Sequence, residues 1–140
     1  MATVDISRIC IDTTVFIGFV RGQEPNASAM AKAAQDSVCY VTAITAYELL
    51  FGAARANRRI DEQSLLSFTT VLPFSYAAAQ RAATLHAELI RQNQDIGIKD
   101  VLIAAICLEN NLPILTANLR HFSRVPSLQV IAVGDFVSPR

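Results

Sequence analysis

Arg8-Ile-Cys-Ile-Asp-Thr-Thr-Val-Phe-Ile-Gly-Phe-Val20 sets a short apolar run, an acid and a second apolar segment in direct succession. Arg8 to Ile11, rich in β-branched residues and closed by Asp12, reads as a strand, and Thr13 to Val20 continues as a helix. The same order recurs downstream. Val38 to Val41 is a second strand, and Thr42 or Thr45 can cap the helix after it, whose Leu49, Leu50, Ala53 and Ala54 form an apolar stripe. Thr69 to Pro73 is a third strand, and Tyr76 to Gln92 a long helix with Ala78, Ala82, Leu85 and Leu89 along one side. Gly97 breaks the chain before Asp100, and Val101 to Leu108 is apolar enough to predict an almost wholly buried helix. Leu112 to Leu115 and Leu128 to Val133 supply the last two strands. Two further helices are expected, one capped by Asn26 and running to about Gln35, the other over Asp61 to Phe68. Strands separated by helices predict an α/β fold, a three-layer α/β/α sandwich around a parallel sheet of about five strands.

Composition narrows the class. A hydrophobic content of 52% over 140 residues provides ample core for one domain, and no repeat or linker divides residues 1–140. The longest apolar runs fall well short of the roughly 18 residues that a membrane span requires, and Met1 to Ser7 has no basic n-region, so a cytoplasmic protein is expected. Cys10, Cys39 and Cys107 are odd in number, far apart and set in apolar runs, which suits buried thiols rather than a disulfide framework or a zinc site. Twelve basic residues balance twelve acidic ones, so any nucleic-acid contact must be local. Arg55, Arg58 and Arg59 make one basic cluster, and Lys99, Arg120 and Arg124 can make another.

Three acids stand where an open parallel sheet binds ligands, beyond the carboxyl ends of its strands. Asp12 closes the first strand, Glu48 follows the second, and Asp100 opens the buried helix that leads to the fourth. Each also has a purely structural role open to it: Asp12 as a helix cap, Glu48 as the partner of Thr45 in a capping box, Asp100 as a charge at a helix N-terminus. Together they make a stronger case, because carboxylates gathered without cations repel one another, and a divalent ion relieves that repulsion. Mg2+ and similar hard cations take oxygen ligands and keep waters, so a few carboxylates at an open rim predict metal-assisted phosphate hydrolysis. Other chemistries lack their motifs. Position 14 is Thr, which breaks the acid pair of aspartyl phosphatases, and neither a Gly-x-Gly-x-x-Gly stretch nor a Gly-x-Ser-x-Gly elbow is present.

These residues resemble the PIN domain, and in particular its small VapC-type toxins, over nearly the whole chain. Ile-Asp-Thr-Thr-Val-Phe-Ile at residues 11 to 17 resembles the opening motif, with Asp12 in the first metal position and Thr14 as a supporting hydroxyl. Thr42-Ala-Ile-Thr-Ala-Tyr-Glu-Leu-Leu-Phe-Gly52 resembles the second motif and supplies Glu48; Asp100-Val-Leu-Ile-Ala-Ala resembles the third. The segment Leu115-Thr-Ala-Asn-Leu-Arg-His-Phe-Ser-Arg-Val-Pro126 is similar to the family's fourth strand and the loop after it. The departure is His121, at a position where the family often carries a fourth acid; Thr116 or Asn118 could supply an oxygen there or position water. His121 is otherwise expected on a surface loop and His86 in a structural role. The resemblance implies an endoribonuclease dependent on Mg2+ or Mn2+. It also implies the toxin of a toxin–antitoxin pair, with a small antitoxin protein as partner and a homodimeric state. The competing expectation is a PIN-like module that binds RNA or protein without cutting.

Overall fold

The computed structural model describes residues 4–59, 64 and 67–138. Five strands, β1 (Arg8–Ile11), β2 (Val38–Thr42), β3 (Thr69–Leu72), β4 (Ile114–Thr116) and β5 (Val130–Ala132), form one sheet in the order β3-β2-β1-β4-β5, with every pairing parallel. The described helices are α1 (Thr13–Val20), α2 (Asn26–Asp36), α3 (Ala43–Arg55), α4 (Tyr76–Arg91), α5 (Ile98–Glu109), α6 (Leu119–Phe122) and α7 (Val133–Val137).

Strand alternation sorts side chains into two cores, one on each face of the sheet. Cys10, Ile114 and Leu72 meet α4, α5 and the α6 residue Phe122, whereas Ile9, Ile11, Cys39, Val41 and Leu115 meet α1, α2 and α7. The alanine-rich stripes of α2 and α4 are spent inside these cores, since Ala29, Ala33, Ala78 and Ala82 are all buried. The expected three-layer α/β/α sandwich is therefore the observed one. In α5, Val101 and the run Ile103 to Cys107 are inaccessible to solvent, as its unbroken apolarity predicts. The three cysteines are buried free thiols, and burial, aided by the neighbouring Cys10, pushes Cys39 up to about 11. Among the described residues no helix is long and apolar enough to cross a membrane.

Several local expectations are corrected. Asn26 is the first residue of α2 rather than its cap; the preceding residue is Pro25, and the Asn26 side chain instead donates to the Thr14 carbonyl at 3.1 Å. Of the two candidate caps for α3, Thr42 is the one that accepts from the Thr45 amide, at 3.1 Å. The last strand ends at Ala132, and Val133 opens α7. The helix expected over Asp61 to Phe68 lies mostly outside the described residues.

The sheet order places the topological switch point between β1 and β4, because connections leave these adjacent strands in opposite directions. Asp12 and Thr116 stand side by side at the carboxyl end of that junction, so the fold brings together residues 104 positions apart.

Candidate functional site

The first corner is built around Asp12. Its backbone is extended at the N-cap of α1, yet its side chain makes no capping bond to that helix. Both Thr14 Oγ1, at 2.7 Å, and Thr116 Oγ1, at 2.8 Å, donate to Asp12 Oδ2. Each hydroxyl is itself oriented by a backbone donor from the turn after β4: Ala117 N bonds Thr14 Oγ1 at 3.1 Å, and Asn118 N bonds Thr116 Oγ1 at 2.8 Å. A hydroxyl that accepts an amide hydrogen has its own proton free to point elsewhere, here at the carboxylate. Gly18 makes room for this corner, since a Cβ there would fall on the Asn26 side chain that holds the Thr14 carbonyl.

Asp12 is only 2% exposed. Burial pushes its carboxyl above the usual carboxylate range, the hydroxyls of Thr14 and Thr116 pull it back, and the charge of Asp100 pushes it further up. The ionised form is thus held by neutral donors, with no cationic side chain bonded to it among the described residues.

Glu48 and Asp100 are held differently. Glu48 lies on α3, where its Oε1 accepts from Thr13 Oγ1 at 2.9 Å and its Oε2 lies 3.7 Å from Lys99 Nζ. Thr13 Oγ1 also lies 2.9 Å from Thr45 Oγ1, so α1 and α3 are tied together beneath Glu48. Asp100 is in the first turn of α5, which starts from Gly97 at φ +89, a left-handed conformation that favours glycine. Its Oδ2 is 2.8 Å from His121 Nδ1 and 3.5 Å from Asn118 Nδ2.

His121 corrects the surface-loop expectation: it belongs to the single-turn α6 and binds a candidate acid directly. Asn118 Nδ2 is also 3.0 Å from His121 Nδ1. A ring nitrogen that donates its hydrogen to Asp100 cannot accept from an amide NH2 as well. Both groups are consistent as donors to Asp100 Oδ2, with the Asn118 amide nitrogen lying beside the ring nitrogen rather than bonded to it. His86, as expected, has a structural partner, Asp95 Oδ1 at 3.0 Å. The second basic cluster is divided, for Lys99 faces Glu48 while Arg124 Nη1 donates to the Asp95 carbonyl at 3.1 Å.

The structure therefore brings Asp12, Thr14, Thr116, Asn118 and Asp100 into one connected rim and ties Glu48 to its edge through Thr13. Among the described residues it contains no preformed cluster of three or more His, Cys, Asp or Glu side chains spaced to enclose a metal. Thr13, Thr45 and His121 were not singled out as functional from sequence; the consecutive threonines after Asp12 were the available signal for the first of them.

With this geometry in place, comparison with known proteins identifies the lineage. The model of the PIN domain matches residues 9–128. The chain belongs to the PIN-domain family. This PIN domain is 33% identical over 132 residues to a protein of Rickettsia bellii (strain RML369-C) named Ribonuclease VapC, covering 89% of this chain and 96% of that protein. It is 28% identical to the tRNA(fMet)-specific endonuclease VapC of Shigella flexneri, covering 87% and 95% of the two chains. Among solved structures it is similar in fold to VapBC2 from Rickettsia felis bound to a promoter DNA fragment, with a TM-score of 0.76, 22% identity and coverage of 89% of this chain and 98% of the other. FitAcB from Neisseria gonorrhoeae gives the same TM-score at 24% identity, with coverage of 90% and 98%.

Proposed function

We propose that this PIN domain is an endoribonuclease that hydrolyses RNA phosphodiester bonds with Mg2+ or Mn2+, and that it is the toxin of a toxin–antitoxin pair. The observation that carries the reading is Asp12, a buried carboxylate at the sheet's switch point whose only described side-chain donors are two hydroxyls, with a second carboxylate close enough to raise its pKa. Hydroxyl donors orient a carboxylate but leave its charge uncompensated, so burial there is costly until a cation arrives. The relatives named VapC ribonucleases support the substrate class, and a structural neighbour described as a toxin–antitoxin complex, from Klebsiella pneumoniae, with a TM-score of 0.70 at 22% identity, supports a protein partner.

The donor set suits a hard divalent ion. Asp12, Asp100 and Glu48 offer oxygens, and the open spacing matches Mg2+, which is usually held by one or two carboxylates with several retained waters rather than by a closed protein cage. When bound there, the ion supplies activation of the hydrolytic water and stabilisation of the charge developing on phosphate. The chain's own part is positional. Thr14 and Thr116 fix Asp12, Thr13 fixes Glu48, and His121 with Asn118 fixes Asp100 on the opposite side.

One observation favours the second reading, a PIN-like module that binds without cutting: His121 occupies Oδ2 of Asp100 at the position where a fourth acid is often found. Cleavage of a mixed, structured RNA pool by purified protein in Mg2+, Mn2+ or EDTA, beside the Asp12→Asn variant, separates the two. The proposal expects cutting that requires metal and disappears in the variant. RNA binding without metal-dependent cutting, in protein stripped of any copurified partner, supports the second reading instead.

A further inference from the structure

Resting on the ribonuclease reading, we propose that the groove between α1 and α3 is the path by which a single RNA strand approaches the acids. Arg21, Arg58 and Arg59 would take its phosphates, and Gly52 would keep the floor flat beneath it. The groove has a volume of about 490 Å3, within the size range of ligand sites, and Glu48 is part of its wall. From Glu48 it follows α3 past Leu49, Gly52 and Ala53 to Arg58 and Arg59, with Ile17, Val20 and Arg21 of the α1 end opposite.

Two independent features point to a bound strand, the first to its negative charge and the second to its close approach. Among the described residues none of these three guanidiniums is paired with a carboxylate, whereas Arg81 is bonded to Glu109 at 2.9 Å and Arg91 to Glu88 at 2.6 Å. Guanidiniums left unpaired beside an apolar surface suit bidentate phosphate contacts and stacking on bases.

The second feature is Gly52. A glycine inside a helix is unfavourable relative to alanine, yet a Cβ at this position would meet no atom within 4 Å and no positive φ requires glycine. Folding therefore gives no reason for it. A surface that something else must approach closely does, because position 52 lines the groove.

Continuity with Glu48 favours RNA over an acidic peptide. A strand cut at the acids must extend past them, and on the α3 side of the groove the next charged groups in its wall are Arg58 and Arg59, just beyond the end of that helix.

The test is binding of mixed-sequence single-stranded RNA to the full chain carrying Asp12→Asn to prevent cutting, titrated against salt. Each phosphate contact contributes about 0.7 to the log–log salt slope for single strands. Arg58→Gln with Arg59→Gln is expected to lower that slope by about 1.4 and to weaken binding about tenfold or more. Gly52→Leu is expected to weaken binding with the slope unchanged, and Gly52→Ala to raise the melting temperature. In the cleaving background the arginine variant raises KM and leaves kcat and metal dependence in place. Unchanged affinity and slope in the arginine variant overturn the proposal and leave the groove to a protein partner, while metal-dependent cutting by the unmodified chain would still stand. An unmodified chain that neither binds nor cuts RNA removes the ribonuclease reading, and the groove assignment with it.

Discussion

Asp12 and the pair formed by Glu48 and Asp100 share one rim of the sheet but are held by opposite means. Asp12 is buried, fixed by two neutral hydroxyls, and lifted above the usual carboxylate range. Glu48 and Asp100 remain partly open to solvent, with the Lys99 amine 3.7 Å from one and the His121 ring 2.8 Å from the other. The difference teaches a division of labour. On the proposed metal-dependent reading, Asp12 keeps its charge for an incoming cation and Glu48 must exchange the Lys99 amine for the ion, while His121 holds Oδ2 of Asp100 in place.

The contrast is broken most severely at Asp12. Asp12→Asn preserves shape and removes the charge, and the loss of cleavage is expected to exceed the roughly 10- to 100-fold typical of residues one step removed from a metal. Single-turnover cleavage of a labelled RNA measures it. Thr116→Val deletes one of the donors and is expected to cost about 10- to 100-fold in metal affinity or rate, read as a shift of the Mg2+ titration midpoint. His121→Gln, which can still bond Asp100, is expected to retain more activity than His121→Ala, whose loss should lie near the lower end of that range. Equal losses in the two variants would remove the positioning role of His121. Lys99→Ala sharpens the comparison from the other side. The lysine is 58% exposed, so its loss should change stability by less than about 1 kcal/mol while lowering, rather than raising, the Mn2+ concentration needed for cutting.

The parts of this arrangement that were legible in the sequence are those fixed by local pattern. The apolar run ending at Asp12, the capped start of α3 and the apolar run Val101 to Leu108 of α5 each carry a local pattern and a boundary residue, and they place Asp12, Glu48 and Asp100 near the carboxyl edge before any packing is considered. What was not legible depends on packing between distant segments. The single turn of α6 is too short to show a helical period, so His121 passes for a loop residue until the buried Phe122 beside it anchors that turn. The Thr13 bond to Glu48 likewise joins positions 35 apart and has no counterpart in either local segment. Asn26 illustrates the opposite error. Its residue type fits a helix cap, but the gap left by Gly18 lets it bond across to α1 instead.

Thermal unfolding of the wild-type chain and of Asp12→Asn, each in EDTA and in Mn2+ across a range of pH, tests the central claim most directly. An acid whose pKa is raised on folding costs stability above that raised pKa, and the cost fades as pH falls through it toward the ordinary carboxylate value. In EDTA at neutral pH the variant should therefore melt above the wild type, with the gap closing on acidification, and Mn2+ should raise the melting temperature of the wild type but not of the variant. A variant that melts lower in EDTA at neutral pH, or that is stabilised by Mn2+ as strongly as the wild type, would contradict the assignment of Asp12 as a buried charge kept for a metal.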